Sequence, residues 1–158
     1  MRAEEIEILL VEDNGADAEL TQHALRKNAL ANRIHVVRDG EDALNYLFCR
    51  GKYEERSGSP LPQLILLDLK LPKIDGLSVL RALKEDRRTR WIPVIVLTSS
   101  NEEKDLLASY DLGVNSYIQK PLDFDQFRET ARTLALYWLL VNQAPPRQTM
   151  PHNSEKSS

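Results

Sequence analysis

The sequence predicts an α/β domain built on a parallel sheet of five strands, with helices covering both faces. Three observations carry that reading. Short apolar runs, rich in β-branched residues, alternate with segments of helical periodicity along the chain. Each run is short enough for a buried strand and is followed by a helix-length crossover, the pattern of right-handed βαβ units. Polar residues collect where the runs end, at Glu12-Asp13, Asp68, Thr98 and Lys120.

Residues 6–11 form a strand-like run that ends in two acids. Asn14 can cap a helix in which Leu20, Ala24 and Leu25 repeat at helical spacing, ending near Asn28. Residues 34–37 are a second strand, followed by Asp39-Gly40 and a helix over about 41–48. Residues 50–63, rich in Gly, Ser, Pro and charge, read as an exposed loop. Residues 64–67 are the most hydrophobic run, with Asp68 at its end. After Pro72 and Gly76 a helix carries Val79, Leu80 and Leu83 on one face. Residues 93–97 make a fourth strand ending in Thr98-Ser99-Ser100. Ser100 or Asn101 then caps a helix that runs to Leu112, with Gly113 as its C-cap. Residues 116–119 are the fifth strand, ending in Lys120-Pro121, and a last helix spans about 124–141. The domain is expected over 6–141, and 142–158, with Pro145-Pro146 and a Ser/Asn/Lys-rich end, as a disordered tail.

The 158 residues suit one domain with one substantial core. A net charge of −3 argues against a nucleic-acid surface, which carries a basic patch. Cys49 is the single cysteine, so no internal disulfide is possible and a reducing compartment is expected. It reads as a small apolar helix residue rather than a catalytic thiol. The first residues turn acidic where a signal peptide needs an apolar stretch. The apolar run at 134–141 falls well short of the roughly 20 residues that span a bilayer. The expected location is the cytoplasm, with no membrane insertion.

In an open parallel sheet, ligands bind beyond the carboxyl ends of the strands. Those ends carry three carboxylates, a hydroxyl and an amine: Glu12, Asp13, Asp68, Thr98 and Lys120. Alone, each has a plainer explanation as a cap, a turn residue or a solvated charge. Together at successive strand ends they suit phosphoryl transfer. Acids brought together repel, and a hard cation such as Mg²⁺ relieves that repulsion with two carboxylates, a backbone carbonyl and waters. Such transfer needs positioning and neutralisation of phosphoryl oxygens, which Mg²⁺, an ammonium and a hydroxyl supply. A carboxylate can itself be the nucleophile, and Asp68, on the central strand, is best placed. His23, His35 and His152 show no ligand spacing and read as structural or exposed. Trp91 is expected to pack at a strand entrance.

The stretches Leu9-Leu10-Val11-Glu12-Asp13-Asn14, Leu66-Leu67-Asp68-Leu69-Lys70-Leu71-Pro72 with Asp75-Gly76, Val96-Leu97-Thr98-Ser99 and Tyr117-Ile118-Gln119-Lys120-Pro121, in that order, resemble the receiver domain of bacterial and archaeal response regulators. The resemblance implies a flavodoxin-like three-layer sandwich, strand order 2-1-3-4-5, with five helices. It implies that Asp68 accepts a phosphoryl group from a histidine kinase. Mg²⁺ would then be held by Asp13, Asp68 and the backbone carbonyl of Lys70, with Glu12 acting through water. Thr98 and Lys120 would contact the phosphoryl group, Tyr117 would be the aromatic switch, and the Lys120-Pro121 bond would be cis. The loop at 50–63, the 109–117 stretch and Tyr137-Trp138 further resemble the small regulators paired with phytochrome-type kinases. Lys70 departs from many relatives, which carry an uncharged residue there.

Phe127, Ala131, Leu134 and Trp138 form a stripe suited to face the sheet. Leu136, Tyr137, Leu139 and Leu140 add apolar surface elsewhere, so a homodimer or partner contact through the last helix and the adjacent face is expected. No output domain is expected beyond it, which leaves a protein contact or phosphorelay to an unknown downstream protein as the output. Two other functions share these residues. One is a hydrolase with an aspartyl-phosphate intermediate, disfavoured by Lys70, which stands where such enzymes place a second acid. The other is a binding module that is never phosphorylated, disfavoured by the complete set of polar residues.

Overall fold

The computed structural model describes residues 7–27, 33–99 and 102–119, together with positions 125, 129 and 133. Its elements are β1 (Glu7–Val11), α1 (Gly15–Lys27), β2 (Arg33–Val37), α2 (Gly40–Leu47), a 3₁₀ segment (Gly51–Arg56), β3 (Leu64–Leu67), α3 (Gly76–Glu85), β4 (Val94–Thr98), α4 (Glu103–Asp111) and β5 (Ser116–Gln119). All strand pairs are parallel and the order is β2-β1-β3-β4-β5, as expected.

The residue pattern explains why this sheet lies between two helical layers. Successive strand side chains point to opposite faces. Leu9, Val11, Ile65, Leu67, Val94 and Val96 join one core, with Ala43, Tyr46 and Leu47 of α2 and Val79, Leu80 and Leu83 of α3. Ile8, Leu10, Leu64, Leu66, Ile95 and Leu97 join the other, with Ala18 and Leu25 of α1. Burying a leucine or isoleucine fully contributes about 1.5–3 kcal/mol, so two faces filled this way fix the layers. The chain leaves β1 for one edge and returns at β3 for the other, which opens a crevice at the carboxyl ends of these two central strands.

Helix starts follow the local chemistry. Asn14 accepts from the Asp17 N–H at 3.0 Å, Asp39 from Asp42 at 2.7 Å and Asp75 from Ser78 at 2.9 Å, each satisfying an amide of the first turn. Ser100 and Asn101, the expected caps, lie outside the described residues. Helix α4 begins at Glu103 behind Glu102, which makes no side-chain cap bond. Gly113 closes that helix at φ 93°, a left-handed conformation suited to glycine.

Two further expectations are corrected. Cys49 is not a helix residue: it stands beyond α2 at φ 55°, buried, with its thiol pushed up by that burial. Nor is 50–63 merely an exposed loop. It holds the 3₁₀ segment Gly51–Arg56, and Leu61 and Pro62 are buried. Arg56 fastens it, donating to the Tyr46 carbonyl at 2.6 Å and lying 3.7 Å from the Tyr46 ring centre. His35 stacks on Tyr46 at 4.1 Å, near parallel, and Tyr53 meets both rings edge-on. Two groups that close cannot share a ring face, so His35 and Arg56 sandwich Tyr46. Trp91 is half-buried against the core and donates to the Arg88 carbonyl at 2.8 Å.

The expected last helix and tail lie almost wholly outside the described residues. Asp125, Glu129 and Thr133 are helical and exposed. Among the described residues no helix is long and apolar enough to cross a membrane.

Candidate functional site

Three neighbouring strands deliver the site. Val11 pairs with Leu67, and Leu67 with Val96, so the residues that follow in β1, β3 and β4 emerge side by side. The Asp68 N–H donates to the Val11 carbonyl at 3.0 Å, and the Glu12 N–H to that of Val37 at 3.0 Å, extending the ladder to the rim. Asp68, Glu12 and Thr98 are buried, at 6%, 2% and 0% exposure. Polar groups placed that deep need partners or ligands.

The Asp68 carboxylate is oriented from below. Its Oδ1 accepts from the Lys70 N–H at 3.0 Å, a local side-chain turn that holds the carboxylate against its own loop. Helix α3 begins directly beneath. The Gly76 N–H donates to the Leu69 carbonyl at 2.9 Å, and a Cβ on Gly76 would overlap the Asp68 carbonyl and the Leu69 Cα. The Asp75-Gly76 pair is therefore what lets the helix cap itself and approach the acid closely. Glu12 Oε2 accepts from the Asn14 N–H at 3.1 Å, which curls the acidic turn back on itself.

Asp13 and Lys70 are exposed, and both line an open cleft of about 450 Å³ with Leu69, Leu71, Pro72, Asp75, Leu77 and Asp105. The buried acids lie at the rim of the sheet, while Asp13 stands exposed on the wall of the cleft. No three His, Cys, Asp or Glu side chains among the described residues are gathered into a metal-holding group. The expected ligand set asks for only two side-chain carboxylates, completed by a carbonyl and water. Tyr117, on β5, is half-buried and packs against the core that α2 and α3 cover. Lys120 and Pro121 lie outside the described residues, so the ammonium and the peptide geometry expected there are not seen.

One residue that touches the acidic turn escapes sequence reasoning. Arg38, just after β2, donates from Nη2 to the Asp13 carbonyl at 3.1 Å. An arginine after a strand carries no periodic or motif signal, and only the sheet brings it 25 residues back to the acidic turn.

A buried acid on the middle strand thus stands between a buried threonine and an acidic turn, at a switch point of a parallel sheet. Residues 8–132 match the family described as response regulator receiver domain, and the chain belongs to that family. It is similar to the probable methanogenesis regulatory protein FilR2 of Methanothrix harundinacea, 45% identical over 87% of this chain and 86% of that protein. It is also similar to the response regulator Rcp1 of Synechocystis sp., 42% identical over 84% of this chain and 88% of that one. The phosphorylated cyanobacterial phytochrome response regulator RcpA superposes with a TM-score of 0.83 at 41% identity, covering 90% of this chain and all of RcpA. A structure of Rcp1 is of its Mn²⁺-bound form. The protein is thus a two-component response regulator receiver, a family that signals through phosphorylation of an aspartate and contact with kinases.

Proposed function

We propose that Asp68 is the phospho-acceptor, taking its phosphoryl group from the phosphohistidine of a histidine kinase. The observation that carries this reading is the Asp68 carboxylate itself: nearly buried, on the central strand, oriented by the Lys70 N–H and beside the buried Thr98. One Asp68 oxygen bonds to phosphorus as the P–N bond breaks, and the imidazole leaves with the electron pair and is protonated. Asp13, Asp68 and the Lys70 carbonyl would hold Mg²⁺, with Glu12 reached through water. Their donors are all hard oxygens, as that ion requires. When bound, it would neutralise charge on the phosphoryl oxygens. Thr98 would donate to the phosphoryl group, Lys120 would pair with it, and Tyr117 would follow Thr98, altering the face that α4 and β5 present.

Likeness to RcpA and Rcp1 supports a phytochrome-type kinase as the donor. The reading includes a cytoplasmic location, a switch rather than a turnover enzyme, output through an unknown downstream protein, a homodimer through the last helix and no contact with nucleic acid. The test is labelling with acetyl phosphate or a phosphorylated kinase in the presence of Mg²⁺. Label is expected to saturate near one per chain and to vanish in Asp68→Asn. Many turnovers of a small phosphomonoester per chain would favour the hydrolase, and label persisting in Asp68→Asn would move the acceptor elsewhere.

A further inference from the structure

We propose that Arg38 is a positioning residue of the acidic site: by gripping the Asp13 carbonyl, it sets where the Asp13 carboxylate stands and so the affinity of the site for a divalent cation. The inference rests on the reading of Asp13 and Asp68 as cation ligands and adds to it a residue outside both loops that carry them.

The grip at 3.1 Å is a charge-assisted bond to a main-chain oxygen, stronger than a neutral one. Its backbone is anchored on either side. The residue before it, Val37, accepts from the Glu12 N–H at 3.0 Å. Two residues after it, the Gly40 N–H donates to the Pro72 carbonyl at 3.3 Å, and the Gly40 Cα is packed against Ile74. The short stretch 37–40 therefore ties the Glu12–Asn14 turn to the loop that follows Asp68. Arg38 is the part of that tie which reaches Asp13.

Its location runs against the local electrostatics. The guanidinium lies over Gly15, the first residue of α1, where an added Cβ would stand 3.2 Å from Nη2. A cation at a helix N-terminus is opposed by the helix dipole. What compensates is the Asp13 carbonyl and the acidic turn around it, and the missing side chain at Gly15 leaves the room. Arg38 is exposed, so water weakens its repulsion of a bound cation, and the two effects have opposite signs: lost positioning weakens binding, whereas lost repulsion tightens it.

The experiment is calorimetric titration of the unphosphorylated protein with Mg²⁺, comparing wild type, Arg38→Ala, Arg38→Lys and Asp13→Asn, with melting curves as a check on folding. Arg38→Ala is expected to weaken Mg²⁺ binding by roughly three- to tenfold, the loss of one such hydrogen bond. Arg38→Lys, which keeps a donor of similar reach, is expected to recover most of it. Unchanged affinity in Arg38→Ala would overturn the proposal. So would tighter affinity, since that is the sign expected if Arg38 acted only as a repelling charge. Failure of wild type itself to bind Mg²⁺, or full binding by Asp13→Asn, would instead sink the underlying assignment of the ligands.

Discussion

Gly40 packs its bare Cα against the main-chain carbonyl of Ile74, so closely that a Cβ at position 40 would fall inside that oxygen. The contact locks the loop before α2 onto the loop between Asp68 and α3, and Lys73 adds ion pairs to Asp39 at 3.8 Å and Glu41 at 3.6 Å. Those pairs are largely exposed and contribute little. The interlock of the two backbones is the stronger constraint. Gly40→Ala should destabilise the fold by about 2–3 kcal/mol, as overpacking against an unyielding backbone does. Urea denaturation measures it, and an unchanged midpoint would show that the two loops are not in register as described.

Tyr46 donates to Glu7, an acid that is only 4% exposed at the start of β1. Tyr46→Phe keeps the ring between His35 and Arg56 but removes a donor from a buried carboxylate, at a cost of about 1–3 kcal/mol. Adding Glu7→Leu should return part of that loss, because the buried acid goes with its partner. A double mutant no more stable than Tyr46→Phe would contradict the pairing.

His35 gives stability a pH dependence. Burial holds its pKa below the ordinary 6.5, against an opposing pull from Glu7. The unfolded chain therefore takes up the proton first as pH falls. The contribution is fully present above pH 6.5, shrinks below it and is gone once pH has passed the folded value. The Tm should drop between pH 7.5 and 5.5, and His35→Phe, which retains a stacked ring, should flatten that slope. Tyr53 does not titrate in this range, since burial and Asp42 push it up to about 12.

Lys70 lines the cleft beside Asp13, and its charge is exposed. Removing it should favour a bound cation. Lys70→Asn is expected to tighten Mg²⁺ by about two- to threefold at low salt, with the gain fading as salt is raised. Titration at two ionic strengths separates this from Arg38→Ala, which acts in the opposite direction.

Much of the molecule was legible because it depends on nearest neighbours. Residues 64–67 and 116–119 form strands at the expected positions, and Asn14 does cap α1. Glu12, Asp13, Asp68 and Thr98 stand at strand ends because the strands end there. Other features have no local signature. The local pattern makes Cys49 helical because its neighbours are, whereas its φ of 55° follows from how α2 ends. The loop at 50–63 has a loop's composition, and only contact with Tyr46 through Arg56 shows that it is fastened.

The sequence by itself determined the parallel α/β architecture and the identity of the polar residues at the strand ends, since burial period and strand termini are properties of short segments. The tertiary structure decided how those ends are held: Arg38 on Asp13, Gly40 on Ile74, Gly76 under Asp68, and Glu7 inside an aromatic cluster. All but the Gly76 contact, which closes a single strand-to-helix connection, join residues remote in sequence, and such adjacency exists only once strand order and register are set.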